Sequence, residues 1–145
     1  MRDLPRQLTV GELAELFEGR TQLVELLAEI EYPLENADDV TATLSDEEKV
    51  EALRAHPAIG AKGLSTRSAA EQGFDSDPAV LSELAYLNQV YEEKFGFRFV
   101  VFVAGRPKPE ILKVLGERIP NTREEELETG LRELVAIARD RWTRT

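Results

Sequence analysis

Apolar residues recur along this chain at helical spacing. Leu13, Leu16 and Phe17 share one side of a short element, and Leu23, Leu26, Leu27 and Ile30 follow at i, i+3, i+4 and i+7. Val50 and Leu53 mark a third face. A longer series comprises Val80, Leu81, Leu84, Leu87, Asn88, Tyr91 and Phe95, with Gly96 placed to end it. Ile111, Leu112, Leu115 and Ile119 form the next face. The last is Leu127, Leu131, Leu134, Ala138 and Trp142. Polar starts and stops fit these faces. Thr9 with Glu12, Ser45 with Glu48 and Thr122 with Glu125 read as capping boxes. Thr21 caps the second helix, and Asp77-Pro78 opens the long one. Breaks are predicted at Gly19-Arg20, at Pro33, before Pro57 and at Pro120-Asn121. The acidic stretch 31–39, with Glu31, Glu35, Asp38 and Asp39, reads as a solvated connector, and its spacing matches no calcium loop. By residue type Phe97 to Val103 is a strand, yet no second strand is available to pair with it. The sum is an all-α, single compact multi-helix domain over residues 1–145, with about seven helices packed stripe to stripe.

Composition narrows the function. The chain has 145 residues, 28 acids against 18 Lys and Arg, and a net charge of −10. That balance argues against nucleic acid as a partner, since backbone affinity needs clustered cations. No stretch has the apolar length of a membrane span or the pattern of a signal peptide, so a cytoplasmic location is expected. Cysteine is absent, which removes disulfides, thiolate nucleophiles and thiolate metal sites. With a single histidine as well, a metal centre would have only carboxylates for ligands, and none is expected.

That histidine, His56, lies in Arg54-Ala55-His56-Pro57-Ala58-Ile59-Gly60. The residue before a proline is pushed out of the α region, so His56 is predicted at a helix C-terminal edge or on a loop. There an imidazolium would favour the helix dipole, which is a structural reason for it. Its ordinary pKa also suits it to proton transfer near neutrality. From Ala52 to Ala70 there is no acid, while Arg54, Lys62 and Arg67 are basic. From Lys94 to Pro109 there is again none, against Lys94, Arg98, Arg106 and Lys108. Two such stretches in an acidic chain predict one cationic pocket for a small anion. Ser68-Ala69-Ala70-Glu71-Gln72 reads as a helix start, and helix-start amides also favour an anion. Arg141, beside the last apolar stripe, is expected to satisfy the carbonyls of its own helix end. An acidic helical interaction module, with His56 incidental, fits the same capping boxes and stripes. It gives no reason for cations around the only histidine.

Three ordered motifs carry a resemblance: Ala55-His56-Pro57-Ala58-Ile59-Gly60, Ser68-Ala69-Ala70-Glu71-Gln72, and Leu87 to Val100 with its Lys94-Phe95-Gly96-Phe97 centre. Together they resemble the 2-oxo-4-hydroxy-4-carboxy-5-ureidoimidazoline (OHCU) decarboxylases of urate breakdown. The likeness runs from about residue 10 to 142, through Arg118-Ile119-Pro120-Asn121 and Ile137-Ala138-Arg139-Asp140-Arg141. It implies an all-α, cofactor-free homodimer that makes (S)-allantoin and CO₂ from a small anionic ureidoimidazoline. His56 then inherits the role of catalytic acid, with Pro57 shaping the pocket beside it. Glu71 inherits a catalytic role, and Ser68 and Gln72 bind substrate. The backbone of Phe99, Val100, Val101, Phe102 and Val103 lines the site, and Arg141, or else Arg139, contacts substrate. Three departures stand out. Arg98 occupies a position where the family usually has Pro, Tyr32 to Ala37 replaces a Ser-Pro-Trp-like segment, and the loop after Gln72 is short. They leave a related ureido or imidazoline acid as an alternative substrate.

Overall fold

The structure is a computed structural model and describes residues 3–57 and 77–144. Among the described residues there are seven helices and no strand: α1 (Val10–Phe17), α2 (Gln22–Ala28), α3 (Ala37–Thr43), α4 (Asp46–Ala55), α5 (Pro78–Phe95), α6 (Lys108–Arg118) and α7 (Arg123–Arg144). All three predicted capping boxes form. Thr9 Oγ1 accepts from the Glu12 N–H at 3.1 Å and Glu12 Oε1 accepts from the Thr9 N–H at 3.0 Å. Ser45 with Glu48 and Thr122 with Glu125 repeat the exchange. Such a cap is worth about 1 kcal/mol. Asp77 caps α5 with Pro78 at its first turn, and Gly96 ends it at φ 80°, a left-handed conformation that glycine adopts without strain.

The stripes meet in one hydrophobic cluster. Leu13, Leu16 and Phe17 of α1 face Leu23, Val24 and Leu27 of α2, and Leu131, Leu134 and Ala138 of α7 lie in the same core. The last helix packs against α1, α3 and α4, while α5 packs against α6. None of the helices is long and apolar enough to cross a membrane, among the described residues.

Two expectations about the elements fail. α2 stops at Ala28, five residues before Pro33, because the chain turns sharply there. Tyr32 takes φ 51°, and its N–H donates to the Arg6 carbonyl at 2.6 Å. The stretch 31–39 is not wholly solvated either. Its four carboxylates are exposed, but Leu34 and Ala37 are fully buried and α3 begins at Ala37. Arg139 fastens it, donating to the Leu34 carbonyl at 2.7 Å.

The run 97–103 is neither strand nor helix, and Phe97, Phe99, Val100, Val101 and Val103 are buried. A buried backbone without a ladder needs other partners, and side chains supply them. Arg118 Nη1 donates to the Val100 carbonyl at 2.8 Å, and Arg106 donates to those of Phe102 (2.6 Å) and Val103 (3.1 Å). Glu133 Oε1 accepts from the Phe102 N–H at 3.3 Å. The residue types favour an extended backbone, and the absence of a paired strand follows from these side-chain contacts. Beneath the run lies a buried polar cluster. Glu126, fully buried, accepts from Arg118 Nε (2.7 Å), the Tyr91 hydroxyl (2.8 Å) and Asn121 Nδ2 (2.9 Å). Arg118 also lies 4.6 Å from the Phe99 ring centroid.

Candidate functional site

The ends of α1 and α4 meet, and the candidate site starts there. Pro57 forbids α4 to continue, so His56 becomes its C-cap with extended dihedrals, φ −79° and ψ 134°. Its N–H donates to the Leu53 carbonyl at 3.3 Å, and the residue is buried, only 7% exposed. Pro57 beside it is half-buried. α1 ends one residue earlier than expected, at Glu18 in the left-handed conformation (φ 66°). Gly19 serves close approach instead of the turn. A Cβ built there would lie 3.2 Å from Ala55 Cβ, so a larger residue would push the two helix ends apart.

Arg141 reaches this junction from α7. It is 2% exposed, and its Nη1 donates to the Leu16 carbonyl at 2.9 Å and pairs with Glu18 Oε1 at 3.2 Å. It therefore caps α1 and not its own helix, because its position in α7 points it into the core. Arg139 faces the other way, toward Leu34, Glu35 and Asp38. Of the two arginines, Arg141 is the one whose charge acts on His56. Glu18, whose carboxylate opposes that charge, had no local signal in the sequence.

Burial, then the Arg141 guanidinium and more weakly Arg98, push the imidazole down from 6.5 to about 4, against the opposing pull of Glu18. His56 is thus neutral at pH 7. Its Nδ1 is buried without a hydrogen-bond partner among the described residues. A consequence for stability follows. Between pH 6.5 and about 4 the unfolded chain binds the proton and the folded chain does not, so stability is full above 6.5 and falls as the pH drops. The loss is up to roughly 1.4 kcal/mol per pH unit over that window. Urea melts at pH 7 and pH 4.5 should show it, and His56→Asn should reduce the difference; an equal difference in both proteins would contradict the assignment.

The second basic stretch does not converge on His56. Lys94 donates to the Ile119 and Asn121 carbonyls and Arg106 to those of Phe102 and Val103. Arg98 does reach His56, with Nη1 2.8 Å from its carbonyl. In the first stretch Arg54 donates to the Gly96 carbonyl at 2.7 Å. Among the described residues Arg54, Lys94 and Arg106 are held by backbone carbonyls, and Arg141 and Arg98 are the cations whose charge acts on His56. Lys62, Arg67, Ser68, Glu71 and Gln72 lie outside the described residues. Phe99, Val100, Val101 and Val103 are buried and Phe102 is half-buried, all in the run that Arg98 joins to His56. No group of three or more His, Asp or Glu stands where it could hold a metal ion, among the described residues.

Known proteins resemble this chain in sequence and in fold. The model of the OHCU decarboxylase family matches residues 2–143. A uric acid degradation bifunctional protein of Bacillus sp. (strain TB-90) is 32% identical over 105 residues, which cover 69% of this chain and 21% of that protein. A 2-oxo-4-hydroxy-4-carboxy-5-ureidoimidazoline decarboxylase of Halalkalicoccus jeotgali is 33% identical over 99 residues, covering 65% of this chain and 56% of that protein. The chain thus spans between a fifth and just over half of the length of these two relatives. Among solved structures, an OHCU decarboxylase crystallised in the presence of (S)-allantoin superposes with a TM-score of 0.77 at 26% identity, covering 92% of this chain and 96% of that one.

Proposed function

This chain belongs to the OHCU decarboxylase family, and on that premise we propose that it converts 2-oxo-4-hydroxy-4-carboxy-5-ureidoimidazoline to (S)-allantoin and CO₂, with His56 as the proton donor. The reading takes residues 1–145 as one OHCU decarboxylase-like domain, acting as a cytoplasmic homodimer.

The observation that carries the mechanism is the buried, neutral imidazole of His56 beside the charge of Arg141. The C–C bond to the carboxylate breaks, CO₂ leaves, and the electron pair passes into the adjoining ring C=N. A proton is then delivered to the neighbouring ring carbon from one face, which sets the S configuration. The hydroxyl left on the ring becomes the carbonyl as its proton passes to the ring nitrogen that took up the electron pair, so that one proton is gained overall. A neutral imidazole must gain a proton before it can donate one. The bound carboxylate promotes that gain, since an anion close by raises the imidazole pKa. Arg141 faces an anionic oxygen with a fixed charge. Glu71 orients the imidazole or a ring N–H, Ser68 and Gln72 hydrogen-bond the substrate, and Pro57 with the backbone of Phe99 to Val103 forms the wall.

The test generates the unstable substrate in place from urate with the two preceding enzymes and follows the circular dichroism of the allantoin formed. Rapid appearance of the S enantiomer is expected. Racemic allantoin at the spontaneous rate would overturn the proposal.

A further inference from the structure

Arg98 is a basic residue that the function so far leaves unused, and its contacts are specific. The end of α4 has a carbonyl problem. The last carbonyls of any helix lack intrahelical partners, and here Pro57 offers no N–H to cap them. Arg98 fills that gap from the neighbouring segment. Its Nη1 donates to the His56 carbonyl at 2.8 Å and to the Arg54 carbonyl at 3.2 Å, while its Nε meets Glu92 Oε1 at 3.3 Å. Glu92, one turn before the end of α5, thereby aims the guanidinium. Arg54 completes a reciprocal tie by donating to the Gly96 carbonyl at 2.7 Å. Two arginines thus lace the end of α4 to the chain leaving α5.

We propose that Arg98 is a positioning residue for His56, clamping the main chain on both sides of the imidazole-bearing Cα so that the ring is held in one place at the α1–α4 junction. The proposal rests on the decarboxylase reading for its consequence in turnover, but not for its geometry. A displacement of about 1 Å in a reacting group can cost 10²-fold in rate, and a clamp on the histidine's own carbonyl limits such displacement. Lysine keeps the charge and loses the planar fork, so Arg98→Met and Arg98→Lys separate the two contributions. The charged groups facing His56 among the described residues are Glu18 from the end of α1, Arg141 from α7 and Arg98 itself, with Arg54 on its own helix.

Because His56 is the only histidine, its ring protons give one NMR titration free of overlap. Arg98→Met is expected to lower kcat about 10-fold with KM within about 2-fold. It should also move the His56 titration midpoint upward, because a cation is lost. Arg98→Lys should keep the midpoint low and recover part of kcat. An unchanged kcat with an unmoved midpoint in Arg98→Met overturns the proposal. So does an equal kcat loss in both variants with the midpoint unmoved, which is the pattern of general loosening. If the unmodified protein makes no (S)-allantoin, the decarboxylase reading fails by itself, and the titration of the two variants decides the role of Arg98.

Discussion

His56→Asn is expected to lower turnover by about 10²-fold or more while leaving the thermal melt at pH 7 close to that of the unmodified protein. The two halves of this expectation have separate causes. Turnover falls because Asn has no proton to exchange near neutrality, and 10²–10⁴-fold is the usual contribution of a positioned acid or base. Stability holds because the backbone contacts at this position do not involve the ring. The His56 N–H still reaches the Leu53 carbonyl, and its carbonyl still accepts from Arg98. The imidazole Nδ1 has no hydrogen-bond partner among the described residues to lose. Steady-state rates with the in-place substrate, together with a melt by circular dichroism, check both halves. Near-normal turnover would remove His56 from the mechanism. A collapsed melt would make any loss of rate uninformative about proton transfer.

The largest effect on stability is expected from Glu126→Ala. Glu126 is fully buried and takes three donors, Arg118, Tyr91 and Asn121. Removing it leaves the Arg118 guanidinium, whose side chain is 9% exposed, without its counter-charge in the core. Breaking a buried pair in this way costs roughly 3–5 kcal/mol, which for a domain of this size lowers Tm by on the order of 10–20 °C. The tyrosine hydroxyl adds an unsatisfied group. Replacing both charges, in Arg118→Met with Glu126→Leu, should restore part of the loss, since the pair as a whole must overcome its own desolvation. A Glu126→Ala melt within about 2 °C of the unmodified protein would mean that water or a rearranged donor reaches this cluster. The same variant should weaken the hold on the Val100 carbonyl, so turnover is expected to fall with it.

The two experiments probe parts of the molecule that differ in how far the sequence revealed them. The capping boxes at Thr9, Ser45 and Thr122 were legible because each involves residues three apart, and such contacts depend little on the rest of the fold. The same locality placed His56 at the end of α4, through the restriction that Pro57 imposes. α3 was hidden because its sequence, Ala-Asp-Asp-Val-Thr-Ala-Thr, is largely polar, and Asn36 makes no side-chain capping bond. Its burial rests on the packing of α3 against α2 and α7, with Ala37 in the core, a tertiary fact. The run 97–103 misled because β-type residues describe an extended backbone and say nothing of what satisfies it. Arg141 was legible as a candidate through the family likeness. Its partners were not, since Leu16 lies 125 positions away. Glu18 carried no signal at all, because a carboxylate at a helix end looks like any solvated acid until the arginine is placed beside it.

The run from Phe97 to Val103 has a consequence for how this protein fails. In the native state most of its side chains are buried, and its Val100, Phe102 and Val103 carbonyls are taken by Arg118 and Arg106. Once those arginines let go, Phe-Arg-Phe-Val-Val-Phe-Val is a seven-residue stretch of high β propensity with one charge and no proline. Such a stretch pairs readily with copies of itself. Heating should therefore end in intermolecular β aggregation and not in a soluble unfolded chain, and the guanidinium contacts that shape the site also guard against self-association.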